Sequence, residues 1–100
     1  MSFYVFLPGY YAGAAGGKCS HESHVIRSLT ECSKALQELG IQSTGDYWTG
    51  RHNRIPSGCS IRISSQRPHL EKSTGGLGWI NNDFRPICKN TWSTGDFYHF

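Results

Sequence analysis

The chain has 100 residues, 37% of them hydrophobic and 17% charged, with a formal net charge of +3. That length holds one small domain and excludes a second. The longest apolar or aromatic run, Phe3 to Leu7, falls far short of the roughly 20 residues that cross a bilayer, so a transmembrane protein and a coiled coil are excluded. A chain of this size buries only roughly two-thirds of its unfolded surface, which leaves an apolar core marginal.

In chain order, Phe3-Tyr4-Val5-Phe6-Leu7 has strand character and is followed by Pro8-Gly9. The next stretch, Tyr10-Tyr11-Ala12-Gly13-Ala14-Ala15-Gly16-Gly17, is too rich in glycine to hold regular structure unaided. Residues 1–18 therefore read as an arm. Ser28-Leu29-Thr30-Glu31 is a capping box, with Ser28 as N-cap and Glu31 reaching back. Leu29, Cys32, Ala35, Leu36 and Leu39 follow on one helical face, with Glu31, Lys34 and Glu38 on the other. Gly40 is positioned to end this helix in a Schellman-type turn closed by Ile41.

Beyond Gly40 the pattern is of short strands between turns. Ser43-Thr44-Gly45-Asp46 leads to Tyr47-Trp48, and Ile55-Pro56-Ser57-Gly58 leads into Cys59–Ser64. That segment alternates, placing Cys59, Ile61 and Ile63 inward and Ser60, Arg62 and Ser64 outward. Residues 76–81 are a second strand candidate, and Pro86-Ile87-Cys88 a third, assigned to a sheet edge by its proline. Ser-Thr-Gly recurs at 43–45, 73–75 and 93–95 without a hydrophobic pattern around it, which reads as repeated turn chemistry. The expected architecture is α+β: one amphipathic helix on a small antiparallel sheet in residues 19–90, with terminal arms at 1–18 and 91–100.

The four cysteines, Cys19, Cys32, Cys59 and Cys88, form no C-x-x-C pair, a spacing that suits zinc poorly. Two disulfides suit it better, each removing roughly 3–4 kcal/mol of unfolded-state entropy, and they imply an oxidising compartment. Three pairings are open to the sequence. Cys32–Cys59 with Cys19–Cys88 is favoured, the first tying helix to strand and the second joining the two ends of the domain. No basic stretch and apolar segment of a signal peptide follows Met1, so a targeting segment is expected to be absent or already removed.

A helix with Glu31-Cys32 and Ala35-Leu36…Leu39-Gly40 is followed by Pro56-Ser57-Gly58-Cys59, then Trp79-Ile80-Asn81, then Ile87-Cys88-Lys89. Over roughly residues 19–90 the chain resembles small cysteine-rich modules of exported or lumenal proteins from algae such as diatoms and dinoflagellates. The resemblance implies an oxidised, non-enzymatic structural module with no known active site. It also suggests a setting on the lumenal side of a photosynthetic membrane complex; the thylakoid lumen and the extracellular space are the two expected locations.

Chemistry-bearing clusters are few. Cys19, His21 and His24 are ligand-type residues, but they precede the helix on no regular scaffold and Cys19 is expected to be oxidised, so no metal and no cofactor are expected. His52, His69 and Glu71 could be assembled into a ribonuclease-like acid–base site, yet their spacing does not demand it. No nucleophile elbow and no paired carboxylates occur, and the chain is expected not to be an enzyme. Between Tyr47 and Lys72, Arg51, Arg54, Arg62, Arg67 and Lys72 face Glu71 as the only acid. Such a stretch could meet an anionic surface, but it has no interleaved aromatic platform beyond Trp48, and nucleic acid is not the expected partner.

The aromatic residues are the most informative. Nine of thirteen lie in the first eleven or last nine residues: Phe3, Tyr4, Phe6, Tyr10, Tyr11, Trp92, Phe97, Tyr98 and Phe100. Apolar ends need somewhere to be buried, either on their own domain or on a partner, where aromatic anchors carry much of the binding energy. The expectation is an accessory subunit that docks through these residues on a larger, membrane-associated protein complex. The alternative is a secreted carbohydrate-binding module in which Tyr47, Trp48 and Trp79 stack on sugar rings and Asn81, Asn82 and Asp83 supply hydrogen bonds.

Overall fold

The structure, a computed structural model, describes residues 9–90. The elements in order are β1 (Tyr10–Ala12), a 3-10 turn (Glu22–His24), α1 (Leu29–Glu38), β2 (Trp48–Gly50), β3 (Gly58–Arg62), β4 (Pro68–Glu71) and β5 (Phe84–Lys89). One helix packs on a five-stranded sheet of order β1-β5-β3-β4-β2, an α+β domain. The sheet is mixed: β2 runs parallel to β4 and every other pairing is antiparallel. The strand expected at Phe3–Leu7 lies outside the described residues.

Local chemistry sets the limits of α1. Ser28 is extended and its Oγ accepts the Glu31 backbone N–H at 3.2 Å, satisfying one of the free donors of the first turn. The Glu31 side chain does not return to Ser28. It receives the Tyr10 hydroxyl at 3.4 Å and lies 3.6 Å from Lys89 Nζ, linking the helix to β1 and β5. At the other end the Gly40 N–H donates to Gln37 O (3.1 Å) and the Ile41 N–H to Leu36 O (3.0 Å). These are the two bonds of a Schellman turn, and they require the left-handed φ of +65° that Gly40 adopts. Cys32, Ala35 and Leu36 form the buried face.

That face meets Ile61, Leu70, Ile87 and Cys59 of the sheet, with Ile26 and Tyr10 completing the core. Each fully buried aliphatic side chain there contributes on the order of 2 kcal/mol. Residues 25–26 wedge between two strands: Val25 bridges to Cys88, and the Cys59 N–H donates to Ile26 O at 3.0 Å. Gly58 sits at this crossing with φ +73°, and a Cβ there would collide with the Ile26 carbonyl and the Val25 side chain.

Cys19–Cys88 and Cys32–Cys59 are disulfide-bonded, so of the three pairings open to the sequence the fold adopts helix-to-strand and start-to-end. Two disulfides in a domain this small fit an oxidising or secreted environment. Among the described residues no helix is long and apolar enough to cross a membrane.

Four local expectations need correction. Tyr10–Ala12, read as part of the arm, is an edge strand, because β5 offers it a ladder and Gly13 lets the backbones approach where a Cβ would strike the Pro86 ring. Pro86 is not on an edge strand, since β5 lies between β1 and β3. Its missing N–H is offset locally: Gly13 donates to Pro86 O at 2.9 Å, and the Gly13 carbonyl accepts Arg85 Nε at 3.0 Å instead of a ladder N–H. Residues 76–81 form only an isolated bridge from Gly78 to Pro56, because Gly76 and Gly78 take left-handed φ of +78° and +80°. In β3 the alternation fails at both ends of its range. Ser60 is fully buried because the second face of this central strand is also covered, whereas Ile63 lies past the strand end and is 43% exposed.

Candidate interaction surfaces

One end of the sheet gathers the points where the two terminal segments join the domain. The Asn90 N–H donates to Gly9 O at 2.9 Å, so segments 1–8 and 91–100 attach side by side next to the β1–β5 pair. Of the nine aromatic residues expected to bind a partner, Phe3, Tyr4, Phe6, Trp92, Phe97, Tyr98 and Phe100 lie outside the described residues. Tyr10 and Tyr11 belong to the sheet itself. Tyr10 is 7% exposed in the core; burial, with Glu31 and Glu38 close by, raises its phenol pKa. Tyr11 is half-buried, its hydroxyl accepting the Ser20 N–H at 3.0 Å and pairing with His24 Nδ1 at 2.7 Å. Packing in the core takes Tyr10 out of the docking set, and these polar contacts commit Tyr11 to holding the 19–24 loop.

The sheet face opposite the helix carries a ring cluster. Trp48 stacks on His69 with centroids 5.4 Å apart, and Phe84 meets the edge of His69 at 4.9 Å. His52 meets the edge of Trp48 at 6.1 Å. His69 Nδ1 lies 2.9 Å from the Arg67 carbonyl and must donate to it. Burial lowers the His69 pKa, and the charges of Arg67, Arg62 and His52 add to this, against the opposing hydrogen bond to Arg67 O. Next to it in β4, Glu71 is buried. Burial alone would raise its carboxyl pKa, but hydrogen bonds from Ser73 and the His52 backbone, together with the Arg51 charge, outweigh that and hold it low. Its oxygens accept the His52 and Ser73 backbone N–H groups, both at 2.9 Å.

The fold therefore brings His52, His69 and Glu71 near one another but gives them separate tasks. Glu71 ties the loop after β2 to the loop after β4, and His69 supports Trp48. His52 Nδ1 accepts the Arg54 N–H at 3.1 Å. Among the described residues no histidine ring nitrogen is hydrogen-bonded to the Glu71 carboxylate, the contact through which a carboxylate orients a catalytic imidazole. Cys19 is locked in its disulfide and His24 is held by Tyr11. Among the described residues no group of three or more His, Cys, Asp or Glu is placed to hold a metal ion.

The three aromatics of the carbohydrate alternative do not form one platform. Tyr47 packs against the core and Trp48 has one face on His69, whereas Trp79 is 61% exposed with Ile80 beside it at 57%. Two of the polar residues assigned to sugar are occupied. The Asn81 amide donates to Arg54 O and its carbonyl accepts the Asp83 N–H, both at 3.0 Å. The Asp83 carboxylate binds Arg62 Nε at 2.8 Å and Ser64 Oγ at 2.7 Å, and these bonds hold its pKa below the usual carboxylate range.

The basic residues divide the same way. Arg62 is bridged to Asp83 at 2.8 Å and Arg67 to Asp46 at 3.4 Å. Arg51, Arg54 and Lys72 are exposed and form no salt bridge among the described residues. The Asn81 bond to Arg54 O and the Trp79 N–H bond to Ile55 O (3.1 Å) set the exposed indole segment against this cationic loop. The sequence conceals that neighbourhood: Arg54 and Trp79 are 25 positions apart, and the bridge joining their segments is one residue long. No protein-family model, no curated protein and no solved structure matches the chain.

Proposed function

We propose that the protein is a non-enzymatic accessory module that docks on a larger assembly in an oxidising compartment through the aromatic residues of segments 1–8 and 91–100. The observation that supports this is the Gly9–Asn90 hydrogen bond of 2.9 Å. It brings the attachment points of Phe3, Tyr4 and Phe6 and of Trp92, Phe97, Tyr98 and Phe100 together, so both segments can reach one partner surface. Aromatic anchors concentrated in one patch are the usual source of interface energy. The body between them is cross-linked twice and acts as a rigid cap or spacer. The lumenal face of a photosynthetic membrane complex is the setting that the algal resemblance suggests.

The test keeps the chain at full length and replaces those seven aromatic residues by serine. Both versions are expressed with a tag in the oxidising compartment of an algal cell and resolved by native gel filtration. The unmodified chain is expected in an assembly much larger than its own 11.2 kDa, and the variant at monomer size. Equal distribution of the two would overturn the proposal.

A further inference from the structure

We propose that the loop after β2 and the exposed Trp79 segment form a binding site for an acidic polysaccharide, one carrying sulfate or uronate groups. The loop after β2 leaves the edge strand opposite β1, the Trp79 segment is bridged to the residues that enter β3, and the site does not rest on the docking function proposed above. Three observations lead to it. Arg51, Arg54 and Lys72 are exposed and form no salt bridge among the described residues, although Arg62 and Arg67 in the same stretch each form one. Trp79 is 61% exposed with Ile80 beside it at 57%, a contiguous apolar patch of the kind that marks an interaction site when polar residues rim it. The whole arrangement is fixed in advance by hydrogen bonds to backbone carbonyls: Trp79 N–H to Ile55 O at 3.1 Å, Asn81 Nδ2 to Arg54 O at 3.0 Å, and Lys72 N–H to Gly50 O at 2.7 Å.

The chemistry selects the ligand class. An exposed indole offers a flat apolar face to the C–H side of a pyranose, and guanidinium groups bind sulfate or carboxylate in a bidentate, charge-assisted manner. Asp46, the acid nearest to this loop in sequence, is bridged to Arg67. Glu71 is buried with its oxygens turned to backbone amides; it offsets part of the Arg51 charge and leaves Arg54 and Lys72 without a salt bridge among the described residues. Preorganisation lowers the ordering cost of binding. Nucleic acid uses successive stacking platforms along the strand, but here Trp48 is covered on one face by His69, and among the described aromatic residues Trp79 is the large exposed ring. The two disulfides also suit an oxidising or secreted setting, where the abundant polyanions are polysaccharides.

The test uses the oxidised full chain with dextran sulfate and polygalacturonate as ligands, and with neutral dextran and single-stranded oligo(dT) as comparisons. Binding is followed by affinity electrophoresis over a range of salt concentrations. Dextran sulfate and polygalacturonate are expected to bind more tightly than oligo(dT), and neutral dextran not to bind. R51Q/R54Q should weaken dextran sulfate binding at least about tenfold and lower the slope of log affinity against log salt by about two, one per cation removed. W79A should weaken binding several-fold and leave that slope unchanged, which separates ring stacking from charge. Circular dichroism should be the same for all three proteins, since each substituted side chain is exposed. Unchanged binding in R51Q/R54Q, an unchanged affinity in W79A, or tighter binding of oligo(dT) than of either acidic polysaccharide would each overturn the proposal.

Discussion

On the helix side of the sheet, Leu36, Ile61, Leu70 and Ile87 meet in an apolar layer crossed by the Cys32–Cys59 bridge. On the other side of the same strands lie His69 and Glu71, with the Cys19–Cys88 bridge close by. The first side is stabilised by area, which forgives a change of shape if volume is kept. The second is stabilised by particular bonds to particular atoms, such as Glu71 to the His52 and Ser73 amides, and a buried polar group left without its partner costs more than the bond contributed. The comparison shows how a 100-residue chain with modest hydrophobic content can carry irregular loops: one face supplies the core, and the other trades core for a cross-link and a small polar network.

The largest effect expected is from the polar side's cross-link. Cys19→Ser with Cys88→Ser opens a loop with a sequence separation of 69 and should cost roughly 4 kcal/mol in urea unfolding; a loss below 1 kcal/mol would break the contrast. On the helix side, Leu36→Ala removes a fully packed side chain and should cost about 3 kcal/mol. Glu71→Gln keeps the shape but gives up a carboxylate that caps two backbone amides, and should cost about 2 kcal/mol. Leu36→Met, a volume-conserving swap on the apolar side, should stay under about 1.5 kcal/mol. A Glu71→Gln variant as stable as the parent would mean that the polar side is as forgiving as the apolar one.

The smallest effect is a pH dependence. Folding holds the His69 pKa below its ordinary 6.5, so the unfolded chain takes up that proton first. The stability this confers is complete above about pH 6.5 and is lost as pH falls through the lower folded value. Glu71, held below its ordinary 4.5, adds a second loss at more acid pH by the same sign. Urea midpoints should therefore fall between pH 7 and pH 5.5 in the parent chain, and fall less in His69→Asn. An identical decline in both would remove His69 from the account.

The features written in local chemistry were legible in the sequence. Ser28, Gly40 and the spacing of Cys32, Ala35 and Leu36 define α1 because capping and periodicity act within a few residues. β4 was not legible: Pro68-His69-Leu70-Glu71 has no alternation, and its glutamate is buried with one oxygen on the nearby Ser73 amide and the other on the amide of His52, 19 positions away. β1 was hidden for a similar reason, since Tyr10–Ala12 become a strand only when β5 is alongside. Of the surfaces, the aromatic clustering at the ends was visible in composition alone. The Arg54–Trp79 neighbourhood was not, because it depends on the Pro56–Gly78 bridge, where a Cβ on Gly78 would collide with the Ser57 amide. The same blindness to tertiary pairing put Ile63 inside and Tyr11 on a docking arm.

We propose residues 9–90 as a self-sufficient body, with the aromatic residues outside them serving association rather than core packing. Urea unfolding of the oxidised full chain against the same chain with Phe3, Tyr4, Phe6, Trp92, Phe97, Tyr98 and Phe100 replaced by serine tests it directly. A single surface substitution usually changes stability by no more than about 0.5 kcal/mol, in either direction, and the seven together are predicted to leave the two proteins within about 1 kcal/mol of each other. A loss of about 3 kcal/mol or more, the scale of emptying a core aromatic site, would show that these rings pack on their own domain and would contradict the account.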